Sequence, residues 1–176
     1  FIWLEKGDWG RALETFESAI AYGARGGFLA GQVASGSDLG LLYAELGAHD
    51  RSRERHEAAL ATARQSFRGW YAWPVAQAAR AALLRDDLEA ARLLLAEVAD
   101  ETGEGGRVYM GVALALARAE YALATDDPQA SAAFARAGRS HAQRRRIVPL
   151  HKDFDLAEAE ALLRDGDASS ARGAAE

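Results

Sequence analysis

Trp73, Gln77 and Arg80 place a large ring, an amide and a cation at intervals of four and three residues, which puts all three on one face of a helix. Such a trio is suited to holding a partner. Trp is enriched at binding hot spots, and a guanidinium can clamp a carboxylate or pair with Glu45 or Glu120 of neighbouring segments. Trp70 and Tyr71 lie just upstream. Rings in such a cluster also serve to fill the space between helices, as Phe28 and Tyr109 would at corresponding points. We expect that packing role for Trp70 and Tyr71, and a binding role for Trp73.

The other reactive side chains form weaker constellations. His151, Asp153 and Asp155 alternate in a way that suits a metal only in an extended strand, whereas acids in the first turn of a helix are favourable in their own right. His49 and His56 share a helix at a spacing of seven with no third ligand nearby. His141, Arg144, Arg145 and Arg146 are cations at a helix C-terminus, where they complement the dipole. No Gly-x-x-x-x-Gly-Lys, His-Glu-x-x-His or Gly-x-Ser-x-Gly occurs, and Gly36-Ser37-Asp38-Leu39-Gly40 has its serine one place too early. Gly103-Glu104-Gly105-Gly106 lacks the preceding strand of a dinucleotide fingerprint. The expectation is a protein without catalysis, cofactor or metal.

Composition narrows the partners. The 176 residues carry a net charge of −5 with basic and acidic residues mixed throughout, so no extended basic field exists to collect phosphates, and nucleic acid is not expected as a direct ligand. The absence of cysteine excludes a disulfide framework and thiolate chemistry. The apolar run from Val108 to Ala117 is too short to cross a bilayer. No membrane partner is expected, and the location expected is cytoplasmic. The start at Phe1 and the end at Glu176 suggest one continuous domain that is a piece of a larger protein.

The elements that must position these residues repeat. Gly7-Asp8-Trp9, Gly47-Ala48-His49, Asp86-Asp87-Leu88, Thr125-Asp126-Asp127 and Gly166-Asp167-Ala168 begin at intervals of 40, 39, 39 and 41 residues, each after an apolar helical stretch. Five residues after each start stands a small residue: Ala12, Ser52, Ala91, Ala130 and Ala171. Seven and four residues before the later turns stand Gly40 and Tyr43, Ala79 and Ala82, Arg118 and Tyr121, Ala159 and Leu162. Small residues at such points permit close approach of two helix backbones. The pattern predicts helices over 10–23, 28–46, 49–65, 70–85, 87–101, 106–124, 127–144, 149–164 and from 168 onward. Tight turns join the members of each pair, and looser glycine-rich connectors such as Thr102-Gly103-Glu104-Gly105-Gly106 join the pairs.

Gly7-Asp8-Trp9 with Ala12, Phe16 and Ala19, and Leu39-Gly40, Tyr43, Gly47 and Ala59, resemble the tetratricopeptide repeat. The period exceeds the usual 34 residues, and in length the units resemble the repeat arms of large bacterial signalling ATPases, including LuxR-type transcription regulators and cyclase-linked relatives. The resemblance implies an all-α, right-handed superhelical solenoid of about four and a half antiparallel hairpins, with repeats near 1–24, 25–66, 67–103, 104–146 and 147–176. It implies a non-catalytic scaffold that holds a protein or peptide in a concave groove, or an effector-sensing arm that signals to a linked ATPase, cyclase or DNA-binding domain. The groove residues expected are Ser37, Leu41 and Ala44; Trp73, Gln77 and Arg80; Val112, Ala115 and Ala119; and Asp153, Leu156 and Glu160. The segment from Val108 to Leu116 has no charged side chain, so the strip near Val112 is expected to be covered, by a neighbouring repeat, a ligand or a second copy of the chain.

Overall fold

A computed structural model describes residue 3 and residues 6–66, 68–98, 108–144 and 151–175. Among them are nine α-helices and no strand: α1 (Trp9–Gly26), α2 (Leu29–Glu45), α3 (His49–Ser66), α4 (Ala72–Leu83), α5 (Leu88–Ala96), α6 (Val108–Ala124), α7 (Pro128–Arg144), α8 (His151–Arg164) and α9 (Ala168–Ala175). One turn of 3-10 helix, Arg68–Trp70, precedes α4, which therefore starts later than the periodicity predicts. The connector Thr102–Gly106, Arg145, Arg146 and the side chains of Tyr109 and His151 lie outside the described residues.

Each helix packs on the next in sequence, and α2, α4, α6 and α8 also pack on one another in that order. The reason lies in the turns. Gly7, Gly47, Asp86, Asp126 and Gly166 all have positive φ, between 57° and 85°. The residue after each sends its N–H five residues back, at 2.8–3.0 Å, to the carbonyls of Trp3, Tyr43, Ala82, Ala122 and Leu162. That is the left-handed closure of a helix C-terminus, which satisfies carbonyls otherwise left bare. In four of the five turns the same residue then opens the next helix. Asp8, Asp87, Asp127 and Asp167 accept the N–H of Arg11, Ala90, Ala130 and Ser170 at 3.0–3.1 Å. Ala48 holds that place in the second turn without a side-chain oxygen.

These dihedrals correct the register of the fourth turn. Its left-handed residue is Asp126, one place after Thr125, so the five turns stand 40, 39, 40 and 40 residues apart. The small residue five places on is then Ser131 rather than Ala130. Ala12, Ser52, Ala91, Ser131 and Ala171 are all buried, whereas Ala130 is half-buried. Seven places upstream, Arg118 drops out of the frame and Ala119 replaces it, joining Gly40, Ala79 and Ala159 as small, buried residues. Arg118 instead donates through Nη2 to the Val98 carbonyl at 2.9 Å, beyond the end of α5. Gly40 shows why the position is small: a Cβ there would come within 2.7 Å of the His56 ring.

The largest core cluster joins four elements, with Leu60 of α3, Trp73 and Val75 of α4, Leu95 of α5 and Leu114 of α6. A second core unites Val112 and Leu116 of α6, Ala135 and Ala142 of α7, and Phe154 and Ala157 of α8. Gly138 makes room for it, because a Cβ there would lie 2.3 Å from the Phe154 ring.

Two substitutions check the corrected register. Ser131→Leu overpacks the α6–α7 contact and costs on the order of 1–3 kcal/mol in urea unfolding, while Ala130→Leu costs clearly less; the reverse order would restore the Thr125 frame. Asp126→Gly relieves a left-handed, β-carbon-bearing residue and raises stability by about 0.5–1 kcal/mol.

Candidate functional site

Counting back six residues from each left-handed residue gives Leu41, Arg80, Glu120 and Glu160, one from each of α2, α4, α6 and α8. Together with Glu45, Leu83 and Leu84 they line a depression of about 420 Å³ that opens to solvent. At its centre Arg80 Nε lies 2.8 and 3.0 Å from the two carboxylate oxygens of Glu120, with both side chains mostly buried. Burial pushes the Glu45 carboxyl above its ordinary pKa, with Asp153 and Glu120 adding to the rise and Arg80 opposing it. Asp153 is raised too, by burial and then by Glu120, against the opposing charges of Arg80 and Lys152. Glu160 pairs with Arg164 of its own helix at 2.8 Å, and Arg164 also donates to the Leu123 carbonyl at 2.9 Å. Three carboxylates and one guanidinium thus line the depression, and a fourth carboxylate, that of Asp153, acts on the same arginine.

The expected groove residues divide. Arg80 and Glu160 reach the depression, as does Leu41, itself largely covered; Asp153 couples to it electrostatically. Trp73, Gln77 and Ser37 do not belong to a contact surface: all three are buried. Trp73 donates its indole N–H to Asp38 at 3.2 Å, and Gln77 donates to the same oxygen at 2.8 Å. Trp73 and Gln77 turn toward Asp38 of α2 while Arg80 turns toward Glu120 of α6, because α4 packs on both of these helices. Trp73 is thus the most deeply buried of the three rings, and Trp70 and Tyr71 are the half-covered ones. Tyr71 bonds Glu97 and Arg64, tying α4 to the end of α3.

The strip near Val112 is likewise filled by the chain itself. Val112, Ala119 and the half-buried Ala115 pack against Phe154 and Ala157 of α8 and against α7, and Ala115, with Gly111 and Phe134, also lines an open depression of about 400 Å³ between α6 and α7. Phe28 remains largely exposed, lying over Gly31, where a Cβ would come within 2.6 Å of its ring.

Asp38, which the spacing did not single out, is a buried acid at the α2–α4 contact. Burial raises its pKa from 3.8 to about 6, against the hydrogen bonds from Gln77 and Trp73 that favour the anion. His56 is its counterpart. Enclosed between α2 and α3, its ring nitrogens have no hydrogen-bond partner, and burial, reinforced by Arg85, lowers its pKa from 6.5 to about 4. Among the described residues no group of three or more His, Cys, Asp or Glu side chains converges as a metal site would. No helix among them is long and apolar enough to cross a membrane. No family model, curated protein or solved structure matches this chain.

Asp38 and His56 give opposite pH dependences. The folded pKa of Asp38 lies above its unfolded one, so folding gains stability as pH falls through about 6 toward 4; that of His56 lies below, so folding loses stability as pH falls from about 6.5. Each effect is on the order of 2–3 kcal/mol and they offset in the native chain. His56→Leu should therefore become more stable to urea between pH 7 and pH 5, and Asp38→Asn, which keeps an acceptor for both donors, less stable. Parallel slopes in the two variants would refute the assignment.

Proposed function

We propose that this chain is a non-catalytic helical-repeat module, a right-handed solenoid similar to tetratricopeptide arrays, that holds a basic, partly apolar protein segment across α2, α4, α6 and α8. It serves as an interaction arm in a larger regulatory protein. The observation that carries this reading is the depression itself. One residue at equivalent register from each of four successive first helices lines it, so a ligand that uses it must run across the repeats. Its chemistry selects the sign of the partner. Glu45, Glu120 and Glu160 face a single Arg80 that Glu120 already occupies, so an incoming Lys or Arg gains a carboxylate partner, and an incoming acid meets repulsion. Leu41, Leu83 and Leu84 supply the apolar contact beside the charges. An open depression spanning four helices favours an extended or helical segment over an enclosed small effector.

A fluorescein-labelled amphipathic Lys/Leu peptide should bind the full chain saturably in fluorescence anisotropy, and the matching Glu/Leu peptide should not. Glu45→Lys with Glu160→Lys should weaken that binding about tenfold or more. Glu54→Lys with Glu57→Lys, the same total charge change on the exposed face of α3, should leave it within about twofold. Equal loss in both variants would reduce the effect to net charge and overturn the site.

A further inference from the structure

The depression between α6 and α7 has a chemistry opposite to that of the acidic one. Open to solvent and about 400 Å³ in volume, it falls in the size range of small-molecule sites. Its room comes from small residues on both walls and from a short neighbour. Gly111 and Ala115 line it from α6, Ala137 and Gly138 from α7. α5 has nine residues where α3 has eighteen, and Arg118, midway along α6, already reaches past the end of α5 to the Val98 carbonyl. The preceding unit shows the difference. Fifteen residues before the left-handed residue, α6 has Gly111, whereas the equivalent Tyr71 puts a ring against Arg64 of α3.

Charge distinguishes this depression as well. Eleven and eight residues before the left-handed residue, α8 carries Asp155 and Glu158, which pair with Arg139 of α7 at 2.8 and 2.7 Å. α6 carries Ala115 and Arg118 at those places. Among the described residues that line the depression none is acidic, while Arg118, His141 and Arg144 all contribute to it. Arg144 is held without being neutralised. It donates to Ser140 Oγ at 2.6 Å, and its other contact, at 3.5 Å, is with His141 Nδ1. A guanidinium has no lone pair to offer, so in that contact Nδ1 accepts and the ring proton sits on Nε2. That nitrogen is buried and has no partner among the described residues. Cations at the end of α7 complement its dipole, but the dipole supplies none of these donors with an acceptor. Phe134, exposed to 38%, adds an apolar wall.

We propose that this depression is a binding site for a small organic anion, a carboxylate or phosphate monoester with an aromatic or apolar body. The anionic group lies against Arg144 and Arg118, with Ser140 and His141 holding Arg144 in place, and the body lies on Phe134 and Ala115. Because the present partners of Arg144 are neutral, an incoming anion gains a charge-assisted hydrogen bond there. The site lies on other residues than the acidic depression and does not depend on the reading of that surface.

Isothermal titration calorimetry of the full chain with phenyl phosphate and with benzoate tests the proposal. At least one should bind saturably, and the tighter of the two identifies the head group. Phenol, which has the ring without the charge, and inorganic phosphate, which has the charge without the ring, should each bind about tenfold or more weakly. Arg144→Gln, at an exposed position, should weaken the tighter probe about tenfold while holding the melting midpoint within about 3 °C. Arg53→Gln, which removes the same charge from the exposed face of α3, should leave binding within about twofold. Equal loss in the two arginine variants would reduce the effect to net charge and overturn the site. So would binding undiminished by Arg144→Gln, inorganic phosphate bound as tightly as the aromatic anions, or no binding of either aromatic anion at millimolar concentration.

Discussion

Close approach of paired helix backbones is the constraint on which the other features depend. A hairpin closed by a left-handed residue and a two-place turn brings its two helices together at fixed phase. The residues seven before and five after that point then meet with room for little more than a methyl group. Gly40, Ala79, Ala119 and Ala159 on one side, and Ala12, Ser52, Ala91, Ser131 and Ala171 on the other, satisfy it. With the phase fixed, every other position acquires a destination: toward the partner helix, toward a neighbouring pair or toward solvent. Arg80 and Glu120 meet because they hold the same place in adjacent units, 40 residues apart.

Sharing of faces explains where chemistry is available. α4 packs on α2, α3, α5 and α6, so even its polar residues are drawn inward. Gln77 and Trp73 then serve Asp38, and a charge 9% exposed sits at the α2–α4 contact. A buried carboxylate with two donors is weak support for stability at neutral pH, because desolvation outweighs its hydrogen bonds in setting its pKa. Its directional bonds nevertheless couple one unit to the next at a separation of one period. His56 shows the converse. It occupies the place that Phe16 holds in the first unit and Leu95 in the third, acts as an apolar filler over Gly40, and stays neutral because its enclosure offers no partner for a proton.

Repetition also makes departures informative. His56 stands where Phe16 and Leu95 fill the equivalent place in other units, so its apolar role is read against equivalents in the same molecule. The apolar stretch at Val112 has its cover in Phe154 and Ala157.

Much of the fold was legible in the residues because its signals are local. Turn-forming Gly and Asp, capping aspartates and helical spacing of apolar residues act within a few positions, so the period, the pairing and most helix limits follow from them. The slip at the fourth turn has a local cause as well: Thr125, Asp126 and Asp127 can all occupy a turn, and only the backbone dihedrals decide that Asp126 is the left-handed one. Arg80 and its alternative partners were readable for the same reason that the period was. What only the tertiary structure decided is which neighbour each helix face meets. α4 is rich in alanine on every side, so one periodicity could not tell the face toward α2 from a free one. The burial of Trp73 and the recruitment of Asp38 from 35 residues away follow from contacts between units. Local sequence carries the shape of each hairpin; the packing of one hairpin on another decides which of its side chains remain available for chemistry.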